Sequence, residues 1–161
     1  MLLKTLLFAS FFYLPFAVFG QAKVFDFHKL RFSSSTCNGT CPSISMNIYA
    51  DKKIEFSRII YKSKGRADTS LSHNFKGQLE ESEFNYFIKL INQINWDTLT
   101  VANLDCCDAP IITIALSYAH EYRLYKSMQM PGSLNTLIRY LTNIAVTARL
   151  PIFHGKIYFE E

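Results

Sequence analysis

The sequence predicts an α+β domain: an antiparallel sheet made from two ββα-like units, with two helices packed on one face. Three observations carry that prediction. Two separate stretches alternate apolar and polar side chains with a period of two, and each is followed across a short turn by a second extended stretch. A segment with apolar residues at helical spacing then follows each pair. Strands and helices that each have one apolar face bury all of them when the helices cover one side of the sheet. Of the 161 residues, 49% are hydrophobic, 15% aromatic and 19% charged, which excludes a disordered chain, a collagen-like repeat and a charged coiled coil.

Met1 to Gly20 stand apart from the domain. They hold five of the 14 Phe and a single charge, Lys4. Lys4, the apolar run Leu6 to Phe19 and the Val18-Phe19-Gly20 end describe a signal peptide cut before Gln21. The run is shorter than the roughly 20 residues of a membrane span, and Gln21-Ala22-Lys23 is a poor stop-transfer flank. The nearest cysteine to the cut is Cys37, so a lipid anchor is not expected, and residues 21–151 are expected as one domain that is secreted or periplasmic.

The first alternating strand is Ser43 to Tyr49, with Ile44, Met46 and Ile48 inward. Ala50-Asp51-Lys52-Lys53 turns the chain, and Ile54 to Tyr61 pairs back, with Arg58 interrupting the apolar face and suggesting a bulge. Lys62 to Ser72 reads as a mobile loop, and His73 to Leu79 as a further strand. Glu80, Glu81 and Glu83 favour a helix amino terminus, after which Phe84, Phe87, Ile88, Ile91 and Ile94 form one stripe. Asn95-Trp96-Asp97 ends that helix, and Thr100 to Ala109 is a loop. Ile112, Ile114, Leu116 and Tyr118 then face one way, and Glu121 to Lys126 pairs back across Ala119-His120. The second helix starts at Pro131-Gly132-Ser133, with Leu134, Leu137, Ile138, Leu141, Ile144, Ala145 and Ala148 on its stripe. Residues 152–161 read as a tail without a period.

Export makes Cys37, Cys41, Cys106 and Cys107 candidates for structural disulfides. Four cysteines allow three full pairings, and spacing does not choose among them. A Cys37 to Cys41 bridge needs a turn, which Asn38-Gly39-Thr40 could supply if Gly39 takes a positive φ. Bridging adjacent Cys106 and Cys107 would close a strained ring, so crossed pairing or free thiols are favoured there.

The run Cys37-Asn38-Gly39-Thr40-Cys41-Pro42, ahead of an alternating strand and a turn at Asp51, resembles a family of secreted bacterial domains marked by Cys-x-Gly-x-Cys-Pro. That family is domain of unknown function 6438. The resemblance continues at Leu79 to Phe84, Trp96-Asp97, Asp108-Ala109-Pro110 and Pro131 to Leu134, and covers most of Arg31 to Ala148. It implies the fold and an exported setting, with Gly39, Pro42, Asp108 and Pro110 as motif positions. It implies no activity. Members usually carry a Tyr soon after the Pro and a Gly in the next turn, where this chain has Ser43 and Lys52-Lys53.

Composition and motifs point away from catalysis. A redox pair favours Cys-x-x-Cys at a helix amino terminus, whereas here one more residue intervenes and a strand follows. His28, His73, His120 and His154 are scattered and accompany no hydrolase, zinc-protease or phosphate-loop pattern. A copper site could draw on His120, Met128 and Met130, but gap-filling methionines explain the same residues. The net charge is +4; without Lys4, 16 basic side chains stand against 13 acidic, a dispersed +3 that gives no case for nucleic acid. No catalytic, metal or cofactor residue is therefore assigned. The expected function is a non-catalytic binding or interaction domain for a protein or small molecule outside the cytoplasm, without a stable membrane anchor. The alternative is a thiol-redox or copper-handling factor using Cys106 and Cys107. The helix-free sheet face is the expected contact surface, carrying Ser45, Asn47, Tyr49, Glu55, Ser57, Thr113, Ala115 and Ser117, together with Arg123 and Tyr125.

Overall fold

A computed structural model describes residues 26–102 and 108–159; the leader and Cys106 and Cys107 lie outside the described residues. Its frame is an all-antiparallel sheet made by β1 (Phe27–Ser34), β2 (Ser43–Tyr49), β3 (Lys53–Ile59), β6 (His73–Gln78), β7 (Ile112–Tyr118), β8 (Glu121–Ser127) and β9 (Ile152–Phe153). The strands lie in the order β8-β7-β1-β2-β3-β6-β9. Two short strands, β4 (Tyr61–Ser63) and β5 (Arg66–Ala67), make a separate ribbon whose turn uses Gly65 at φ 71°. Part of the expected mobile loop is thus a structured ribbon. Helices α1 (Glu81–Asn92) and α2 (Asn135–Thr147) complete the domain, which is α+β as the periodicities predict.

Both helices cover the same side of the sheet. Phe87, Leu90 and Ile91 of α1 and Leu137, Leu141, Ile144 and Ala145 of α2 join Leu30, Phe32, Ile44, Met46, Ile48, Ile54, Phe56, Ile114 and Leu116 in one buried cluster. The Phe27 ring stands edge-on to Phe87 at 5.3 Å, tying the start of β1 to α1. Tyr140 donates from its hydroxyl to the Glu83 carbonyl at 2.8 Å, joining the two helices. At the entry to α1, the Glu83 carboxylate accepts from the Glu80 N–H at 3.3 Å, satisfying a donor that the helix cannot.

Periodicity misses one of the inner strands, β1. β1 joins the two hairpins, pairing with β2 on one side and β7 on the other. Its register shifts between Phe27 and Lys29, so Phe27 and Leu30 both reach the core although three positions separate them. Strict alternation survives only from Leu30 to Ser34.

Two further expectations change. The pairing of β3 with β2 and with β6 runs through Arg58 without a shift, so no bulge forms there. Arg58 instead reaches under α2 and donates to the carbonyls of Ala145 and Val146 at 2.8 and 3.0 Å, a cation at a helix carboxyl end. Residues 152–161 are more than a tail: Ile152–Phe153 pair with Asn74 and Phe75 of β6. Beyond them exposure alternates, with Gly155, Ile157 and Phe159 half-buried and the residues between them exposed. Among the described residues no helix is long and apolar enough to cross a membrane.

Candidate functional site

The register places the polar residues of the helix-free face in three rows across six strands. One row runs Asn74, Ser57, Ser45, Ser33, Thr113, Lys126, and the next Lys76, Glu55, Asn47, Arg31, Ala115, Leu124. Lys53, Lys29, Ser117 and Tyr122 lie in the third, which includes Tyr49. Lys29, Arg31, Lys53, Lys76 and Lys126 therefore share a face on which Glu55 is the strands' single carboxylate. A positive charge dispersed along the sequence is gathered on one side by the fold.

At the β2–β3 end of the face the charges satisfy one another. The Glu55 carboxylate accepts from the Tyr49 hydroxyl at 2.7 Å and from Asn47 Nδ2 at 3.1 Å, and lies 3.1 Å from the Lys76 ammonium. Burial pushes the Glu55 carboxyl up, but the Tyr49, Asn47 and Lys76 donors outweigh it and hold it below its ordinary value. Lys76 also lies over the Phe153 ring at 4.9 Å, and Lys29 over the Tyr49 ring at 5.3 Å. A cavity of about 440 Å³ opens beside Tyr49, Lys53, Glu55 and Lys76.

The other half of the face is different. A cavity of about 470 Å³ is floored by Ser33, Ser45 and Thr113 and flanked by Arg31 and Lys126. Leu124 and Phe159 complete its lining. Neither Arg31 nor Lys126 meets a carboxylate among the described residues. Both cations escape a reading of the sequence that gives no strand before Ser43 and takes β8 in the opposite parity. The alternation Lys29-Leu30-Arg31-Phe32-Ser33 is the signal that could have placed Arg31 outward.

Of the expected contact residues, Tyr49 is on this face but Arg123 and Tyr125 are not. The Ala119-His120 turn sets Tyr118 opposite Glu121, so Arg123 and Tyr125 follow Tyr118 to the helix side. Tyr125 is buried and donates to the Trp96 carbonyl at 2.7 Å, while Arg123 bonds Glu121 and Asp97 just beyond α1. Tyr122 and Leu124, 58% and 53% exposed, take the outward places. Alternation in the sequence cannot show this, because both parities of this edge strand mix apolar and charged side chains.

Cys37 and Cys41 are bridged, with Cα atoms 5.4 Å apart, which selects the local pairing. Gly39 does not take a positive φ; among the described residues the left-handed ones outside glycine are Lys52 at 67° and Ala119 at 48°. A methyl group at Gly39 would meet only the Cys37 sulfur, at an ordinary 3.8 Å, so the turn does not require glycine. Pro42 leads into β2, and Asp108 and Pro110 lie just ahead of β7. Ser35 and Ile111 fasten the approach to β7 by two hydrogen bonds, Ser35 N–H to the Ile111 carbonyl at 2.9 Å and Ile111 N–H to Ser35 Oγ at 2.8 Å. His120 sits at one end of β8 and Met128 beyond the other, roughly 26 Å of strand apart, so they cannot hold one copper ion together. Met130 packs against the core.

No curated protein and no solved structure matches the chain. A family model does, over residues 28–145, the span from β1 to the buried stripe of α2. The chain belongs to the family described as Domain of unknown function (DUF6438).

Proposed function

We propose that this chain is an exported, non-catalytic binding domain whose working surface is the helix-free face of its sheet. The observation that carries the reading is the pattern on that face: five cations against one carboxylate, with Tyr122 and Leu124 exposed beside them. An antiparallel sheet can leave one face to water, but an exposed aromatic and leucine next to Arg31 and Lys126, which meet no carboxylate among the described residues, suit a partner better than bulk solvent. The leader-like first 20 residues and the Cys37–Cys41 bridge both suit an oxidising, extracytoplasmic setting.

Two measurements test the two parts. Intact mass of the protein recovered from its own host should begin at Gln21; a mass retaining Met1 to Gly20 removes the export reading. Affinity capture from the extracytoplasmic fraction should be lost with Arg31→Glu and Lys126→Glu together. It should persist with Lys89→Glu and Arg139→Glu, which reverse two exposed cations on the helices. Equal recovery from both double variants removes the sheet-face reading.

A further inference from the structure

The cavity between Arg31 and Lys126 is where the open face becomes concave. Arg31 lies on β1 and Lys126 on β8, two strand spacings across and one row along the sheet, which is roughly 12 Å between their backbones. Side chains as long as arginine and lysine close most of that gap above the strand between them. The floor offers three hydroxyls, each able to donate, and among the described residues no carboxylate lines the cavity. This is a donor set for an anion. An Arg guanidinium presents paired donors to a planar carboxylate or a phosphate, and a Lys ammonium adds a point charge.

The remaining walls are apolar and come from two directions. Leu124 belongs to β8, while Phe159 is carried there by the chain beyond β9. Asn74 Nδ2 donates to the Gly155 carbonyl at 2.8 Å, fixing the start of that segment over β6. A side chain at Gly155 would collide with the Phe153 ring, because a Cβ there would sit 2.4 Å from it. From Gly155 to Phe159 an extended chain covers roughly 13 Å, close to the three strand spacings from β6 to β1. The segment therefore crosses the open face as a strap, with Phe159 as the far wall of the cavity. Its volume of about 470 Å³ falls in the usual range for small-molecule sites.

We infer that this cavity binds a small amphipathic anion, a carboxylate or phosphate held between Arg31 and Lys126 with an attached flat apolar group against Leu124 and Phe159. The inference rests on the open face being the working surface and names the ligand class that it takes. The second cavity, beside Tyr49, Glu55 and Lys76, is less suited to an anion because Glu55 already engages the nearest donors.

Backbone amide NMR of residues 21–161 tests this with four probes: phenyl phosphate, benzoate, inorganic phosphate and benzyl alcohol. Phenyl phosphate or benzoate should shift the amides of Ser33, Ser45 and Thr113 at millimolar concentration or below, and the stronger of the two identifies the anionic group. Arg31→Gln and Lys126→Gln should each weaken that binding about tenfold, while Lys89→Gln on α1 leaves it unchanged. Phe159→Ala should weaken the aromatic anion several-fold without changing inorganic phosphate. An equal response to benzyl alcohol, an equal loss with Lys89→Gln, or no shift at those amides with either aromatic anion would each overturn the inference. Loss of capture in the double variant Arg31→Glu, Lys126→Glu, with no response to any anion, would remove the ligand class and leave the binding face standing. An anion response combined with unchanged capture would do the reverse.

Discussion

Replacing Arg58 with Met should destabilise the domain by about 2 kcal/mol. The guanidinium makes two charge-assisted bonds to the last carbonyls of α2, at 2.8 and 3.0 Å, each typically contributing about 1.5 to 3 kcal/mol. Against this, Arg58 Nε is buried without a partner, an offset of about 1 to 3 kcal/mol. Met keeps an apolar stem but loses the guanidinium over the Phe75 ring, 5.1 Å from Arg58 Cζ, a further loss of about 0.5 to 1 kcal/mol. The carbonyls win because two bonds disappear while one unsatisfied group is relieved. With an unfolding entropy of about 2.1 cal/mol/K per residue over the roughly 130 described residues, 2 kcal/mol corresponds to a Tm lower by about 7 °C. Calorimetry of residues 21–161 measures it, and Arg58→Lys, which can still bond one carbonyl, should fall between the two. A Met variant as stable as the wild type, or more so, would refute the reasoning and make Arg58 a buried charge without net benefit.

Three other outcomes follow from particular contacts. Changing Cys37 and Cys41 to Ser should cost about 2 kcal/mol, the low end for a disulfide because the loop is so short, and leave a cooperative unfolding transition in urea; complete unfolding would show a wider role for the bridge. Lys52→Gly should stabilise by about 0.5 to 1 kcal/mol, since Lys52 stands at φ 67° and its exposed pair with Glu81 contributes little; a lower Tm would show that the Glu81 contact matters more than the strain. Because the folded Glu55 carboxyl lies below its unfolded value of about 4.3, its contribution is complete above that pH and is lost as pH falls through the folded value. Glu55→Gln should therefore show a shallower loss of stability below about pH 4.3 in acid titrations followed by circular dichroism, and an unchanged slope would remove Glu55 from the acid response.

The helices were legible because each carries a stripe wide enough to survive a single misplaced residue: Phe87 and Ile91, and Leu137, Leu141 and Ile144, are buried where the spacing puts them. Strands β2 and β7 were legible for the same reason, both being covered by helices on one side only. The failures share a cause, since they lie where a one-residue change in register reverses the faces. The shift between Phe27 and Lys29 hides β1, and with it Arg31. The turn at Ala119 and His120 sends Tyr125 inward and Leu124 outward, against the simple hydropathy of the strand. Arg58 breaks its apolar stripe because the fold needs a donor there, a need that exists only once α2 is docked above β3. The strap to Phe159 carries no signal of its own, because its alternate burial comes from the sheet beneath it.

Site-specific photocrosslinking tests the central claim, that the helix-free face is the working surface, most directly. A benzophenone amino acid is placed in turn at Tyr122 and Leu124 on the sheet, 58% and 53% exposed, and at Tyr86 and Val146 on the helices, 46% and 52% exposed. Accessibility is then nearly equal and only the face differs. Irradiation of the protein in its own extracytoplasmic fraction should give adducts from the two sheet positions and none from the helix positions. Adducts confined to Tyr86 and Val146, or equal yields from all four, would contradict the account.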